Sequence, residues 1–177
     1  MLGFLKRAFR KRYLRKYSSS VPTSLLPLSK LSSAVAFVDA TKIDFEESKN
    51  ALMAFFKANK LKGEIFFFDF RKIDDEERLI TSINNTILKK DLNFAGKPSE
   101  AKLRLLTECK PDLFISLIDD CDFPIEFLAN FSEAKFKVGR VQLPGQVFDL
   151  VVANPAEVEA SQMDAIHNLA FILSKIA

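Results

Sequence analysis

Residues 34–70 read AVAFVDATKIDFEESKNALMAFFKANKLKGEIFFFDF, and this stretch decides the fold. Ala34–Asp39 is apolar at every position but the last, so a strand here leaves no face for water. Asp44 then caps a helix running to about Lys60. Glu46 and Glu47 fall in its first turn, where the helix dipole favours negative charge. Leu52, Phe55 and Phe56 supply the buried face of that helix. Gly63 ends the next turn, and Glu64–Phe70 forms a second apolar strand. Apolar strands separated by amphipathic helices imply a parallel sheet covered on both sides.

The same alternation continues outward. Thr86–Leu88, Asp112–Ile118, Phe136–Val141 and Phe148–Ala153 read as further strands. Pro98–Cys109, Phe123–Ala134 and Ala156–Ile176 read as helices. The first carries Ala101, Leu105 and Cys109 on one face, and the last carries Met163, Ile166, Ala170 and Leu173. Pro98 suits a first helical turn. The stretch Arg71–Asn85 stays open, with Asp74–Ile80 as one or two helical turns, and Asn93–Gly96 is a loop. The expected fold is α/β and Rossmann-like: a mostly parallel sheet of five or six strands with helices on both faces. It forms one domain over residues 34–177. The 18 Phe, against 2 Tyr and no Trp, suit this buried architecture, because a Phe ring has no polar atom to satisfy.

The chain before this domain has a different character. Residues 1–17 carry Lys6, Arg7, Arg10, Lys11, Arg12, Arg15 and Lys16 and no acid. The body holds the other 19 basic residues against all 23 acidic ones, a net charge of −4. In a helix over residues 2–17, Leu2, Leu5, Phe9 and Tyr13 fall on one stripe flanked by cations. Residues 18–33, SSSVPTSLLPLSKLSS, form an irregular linker that Leu25, Leu26, Leu28 and Leu31 lay over the body.

A cationic arm on a mildly acidic body points to an anionic partner. The apolar stripe favours a membrane surface, or a membrane protein complex, over phosphate alone. Structured RNA such as a ribosome is the alternative, with seven cations for phosphates and two tyrosines for stacking. A helix packed on its own domain, or in a homo-oligomer, is the third reading. No run is long and apolar enough for a spanning helix. Lys6, Arg7, Arg10 and Lys11 also interrupt any secretory signal. The expected setting is cytoplasmic, peripheral at the membrane's inner face.

Catalytic and cofactor signatures are sparse. Asp39-Ala40-Thr41-Lys42 stands where a GxGxxG loop would follow the first strand, and neither a Walker-type loop nor GxSxG occurs. No cofactor, resident metal or catalytic residue is expected. Cys109 and Cys121 read as buried reduced thiols, and His167 as a flank or core residue of its helix. The ligand edge of such a sheet lies beyond the strand ends, which places Asp39, Thr41, Asp119 and Asp120 there. With Asp122 they suggest either an Mg²⁺ site or, more simply, a helix capped by Asp122 beside solvated neighbours. A small-ligand binder or transferase-like enzyme using this edge is the second function class.

Two resemblances add to this reading. Pro111–Val141 is similar to the last strand–helix–strand of the N-terminal domain in heptosyltransferase-type glycosyltransferases. The pattern is carried by Asp112-Leu113, Leu128, Ser132-Glu133-Ala134-Lys135 and Val138-Gly139. It implies a Rossmann-like fold, without the glycine loop or the second, nucleotide-sugar-binding domain of those enzymes. The whole chain resembles an uncharacterised bacterial family through its start MLGFLKRAFRKRYLRKY, KKDLNFAGKP at Lys89–Pro98 and AKFKVG at Ala134–Gly139. That likeness implies no activity.

Overall fold

A computed structural model describes residues 2–72, 84–153 and 161–176. In chain order the elements are α1 (Leu2–Tyr17), β1 (Ser33–Asp39), α2 (Phe45–Ala58), β2 (Lys62–Asp69), β3 (Thr86–Leu88) and α3 (Glu100–Cys109). They continue with β4 (Leu113–Ser116), α4 (Phe123–Phe131), β5 (Phe136–Gly139), β6 (Leu150–Val151) and α5 (Gln162–Leu173). All strand pairs are parallel, in the order β3-β2-β1-β4-β5-β6. This is the doubly wound order, whose connections reverse between β1 and β4.

Strand side chains alternate between two cores. Ala34, Ala36 and Val38 of β1, with Ile65 and Phe67 of β2, face Leu52 and Phe56 of α2 and Ile166 and Leu169 of α5. Val35 and Phe37, with Phe66, Phe68 and Phe114, face Leu103 and Leu106 of α3 and Phe127 and Leu128 of α4. Phe37 stacks between Phe66 and Phe114, with ring centroids 5.3 and 5.0 Å away. Burying Phe rings of this size contributes roughly 2–3 kcal/mol each.

Several boundaries differ from the sequence expectation, each for a local reason. Gly63 lies inside β2 instead of closing the turn. A Cβ there would sit 1.9 Å from the Phe56 ring, so only glycine lets α2 lie this close. Helix α4 stops at Phe131 because Ser132 turns extended and its hydroxyl accepts from the Ala134 amide. Strands β5 and β6 are shorter than read, ending at Gly139 and Val151. Helix α5 begins at Gln162, where Ser161 and Asp164 form a reciprocal capping box. The helical turns read at Asp74–Ile80, and the start of the last helix at Ala156, lie outside the described residues. Asp44 precedes α2 but does not cap it through its side chain. Its carboxylate accepts from the Met163 amide instead, tying α2 to α5.

The linker lies along the body. The Ser19 and Ser24 amides donate to the carbonyls of Asn130 and Lys135, and the Thr23 hydroxyl donates to Asp149 at 2.7 Å. Leu31 is buried, Leu26 and Leu28 pack on the first core, and Leu25 stays exposed. The cysteine expectation needs correction. Cys121, in the loop between β4 and α4, is exposed, and Cys109, the last residue of α3, is only half-buried. His167 is exposed on the flank of α5.

Candidate functional site

The carboxyl edge of the sheet is where β1, β2 and β4 release their chains together. After β1, the Asp39 carboxylate accepts from the Thr41 amide at 2.9 Å and the Thr41 hydroxyl at 2.7 Å, which folds residues 39–41 into a tight turn. Gln162, 1% exposed, reaches over from α5 and bonds both backbone groups of Asp39. After β4, Asp119 turns toward Lys42, 2.9 Å away, and lies 3.9 Å from Arg140, whose side chain is buried. The bond to Asp119 raises the Lys42 pKa against a smaller opposing effect of burial. At the end of β2, buried Asp69 holds Arg71 through two parallel bonds of 2.9 Å.

These contacts divide the expected ligand edge. Asp39, Thr41 and Asp120 line one cavity of about 200 Å³, together with Asp122 and Phe70. Asp119 is drawn away by Lys42. Asp122 occupies the N-cap position of α4, yet its side chain makes no capping bond, so the simpler reading of that aspartate does not hold. Among the described residues, no group of three His, Cys, Asp or Glu converges to hold a metal ion.

The arm packs on the α3/α4 side of the domain. Tyr13, Leu14 and Tyr17 join the second core. Arg10 donates from Nε to the Ala95 carbonyl at 2.8 Å and lies 4.7 Å above the Phe123 ring. Phe9 meets Phe94 edge to face, and the Tyr17 ring meets Phe127 at 5.9 Å. Lys97, 7% exposed, lies 4.9 Å from the Tyr17 ring centroid. Burial pushes the Glu126 carboxyl up, with the Arg10 charge opposing it.

The expected stripe therefore splits. Phe9 and Tyr13 are half-buried against the domain, Leu5 is exposed, and the Leu2 side chain lies outside the described residues. Of the seven cations only Arg10 is half-buried; Lys6, Arg7, Lys11, Arg12, Arg15 and Lys16 are exposed. Lys6 and Arg10 line a second cavity of about 540 Å³ with Lys89, Phe94 and Gly96. Sequence reasoning missed Lys42, Lys89, Lys97, Arg140 and Gln162. The KKDLNFAGKP motif was the available signal for two of them, since Lys89–Pro98 is the segment that receives the arm.

The parallel order, the helices on both faces and the helix α1 laid across one layer define a Rossmann-like α/β protein. Among the described residues, no helix is long and apolar enough to cross a membrane. The chain belongs to DUF6913, a family of unknown function, whose family model matches residues 4–175. Comparisons with characterised proteins and with solved structures find no match.

Proposed function

We propose that this protein is a non-catalytic accessory protein that docks on an anionic membrane surface through the first two turns of α1. One observation carries the reading: every residue from Gly3 to Ala8 is exposed, while Phe9, Arg10, Tyr13, Leu14 and Tyr17 anchor one face of the later turns. Phe4 is 77% and Leu5 48% exposed, an apolar tip on a helix with six exposed cations. An apolar tip beside Lys and Arg suits the lipid interface, where rings enter the acyl boundary and cations meet anionic headgroups. The anchored half supports this role, because a rigid mount reduces the entropy lost on docking. The partner surface is either the lipid itself or the headgroup-rich margin of a membrane protein complex.

Vesicle co-sedimentation of the full chain tests the reading. Binding should require phosphatidylserine beside phosphatidylcholine and weaken with salt. It should fall by about tenfold or more in Phe4→Ala/Leu5→Ala, since inserting one such ring contributes roughly 1.5–3 kcal/mol. The cations alone would also suit RNA, but they give the exposed Phe4 and Leu5 no role. Failure to bind anionic vesicles at low salt, with nuclease-sensitive co-sedimentation alongside ribosomes, would transfer the arm to RNA.

A further inference from the structure

The two cavities on the carboxyl edge share Phe70 and Asp122 as a common wall, and their outer ends differ in charge. At one end Lys6 and Arg10 of α1 and Lys89, from the turn after β3, line the same space of about 540 Å³. At the other end stand Asp39 and Asp120. No described residue forms an ion pair with Lys6 or Lys89. Arg10 is held in place by its bond to the Ala95 carbonyl and by the Phe123 ring. Gly96 lines the same space at φ +95°, a left-handed conformation that keeps the receiving loop close under the Arg10 guanidinium.

Three cations against one carboxylate, Asp122, leave the larger cavity net positive, and phosphate offers enough acceptor oxygens for all three. The acidic end refuses a second anion but accepts hydroxyl donors. Phe70 between them offers an apolar wall for a ring. The position beyond the strand ends is where open α/β sheets hold ligands, and the larger cavity has the volume of a small-molecule pocket.

We infer that this edge binds a small phosphorylated polyol, a sugar phosphate or nucleoside phosphate. Its phosphate lies among Lys6, Arg10 and Lys89, and its hydroxyls face Asp39 and Asp120. The site is separate from the exposed tip of α1, although Lys6 borders both. A lipid headgroup presents the same phosphate chemistry, and the probes distinguish the two sources.

Calorimetric titration of the full chain, without vesicles, uses ribose 5-phosphate, inorganic phosphate and ribose. Ribose 5-phosphate should bind saturably and about tenfold tighter than inorganic phosphate. Lys89→Ala, an exposed position remote in sequence from the arm, should weaken it by about tenfold, as expected for one charge-assisted bond. Asp120→Asn should weaken ribose 5-phosphate and leave inorganic phosphate unweakened. Phe4→Ala/Leu5→Ala should leave all three titrations unchanged, so this inference and the membrane reading fail separately. Equal affinities for ribose 5-phosphate and inorganic phosphate would overturn the inference, as would a Lys89→Ala titration matching the wild type. Heat from phosphatidic acid vesicles that Phe4→Ala/Leu5→Ala retains and Lys89→Ala loses, with none from ribose 5-phosphate, would assign the pocket to a headgroup and overturn it too.

Discussion

Replacing Tyr17 by alanine measures how firmly the arm belongs to the domain. The ring is half-buried in the second core, so its transfer from water contributes roughly 1 kcal/mol, about half the value for full burial. It meets the rings of Tyr13 at 6.3 Å and Phe127 at 5.9 Å, each pair adding roughly 0.5–1 kcal/mol. Lys97, itself almost fully buried, lies 4.9 Å from the ring centroid and adds about 1 kcal/mol. Tyr17→Ala should therefore cost about 3 kcal/mol of unfolding free energy. In a domain of this size that lowers Tm by roughly 6–12 °C. Urea unfolding of wild type and variant, followed by far-UV circular dichroism, measures the difference. A loss below about 1 kcal/mol would refute the packing argument, because the arm would then be a tethered helix that the domain does not need.

Two further outcomes follow from titratable side chains. Lys137 is 4% exposed and donates to the Ala129 carbonyl at 2.7 Å; burial pushes its ammonium down to about 8, with Asp149 opposing. Between that value and the unfolded one near 10.4, the unfolded chain holds a proton that the native protein has released, so stability rises with pH through this window. Lys137→Met should abolish that rise, on the order of 3 kcal/mol, and parallel stability–pH curves for the two proteins would contradict it. Under native conditions the exposed thiol of Cys121 should react with a thiol reagent well before Cys109, whose thiol burial pushes up. Equal rates, followed by mass spectrometry of the labelled peptides, would count against that ordering.

The layers of the fold were legible because burial on both faces leaves a continuous apolar record. AVAFVD, EIFFFDF and DLFISLI announce parallel strands, and the helix stripes through Leu52 and Ile166 announce what covers them. Boundaries were less legible. Gly63 looks like a turn residue, and only the approach of Phe56 shows that it belongs inside a strand. Asp44 and Asp122 both occupy cap positions, yet one carboxylate holds Met163 and the other makes no capping bond. Composition cannot distinguish a carboxylate that caps its own helix from one that a distant amide claims.

Seven cations, no acid and a stripe of apolar residues are properties of sixteen or so consecutive positions, so the amphipathic character of the arm is determined by the sequence alone. So is the absence of a glycine-rich phosphate loop after β1. Which part of the arm faces solvent is a tertiary result. Phe9 and Tyr13 have the same local spacing as Leu5, but Phe94, Asn93 and the buried Lys97 lie 80 or more residues away and cover only the later turns. The grouping of Asp39 with Asp120 likewise depends on a sheet that places β1 beside β4, and that of Lys6 and Arg10 with Lys89 on the packing of α1 against the Lys89–Pro98 segment and α4. Local periodicity determines which face of an element is apolar. Long-range packing decides which apolar residues find partners and which charges are left facing one another across a cavity.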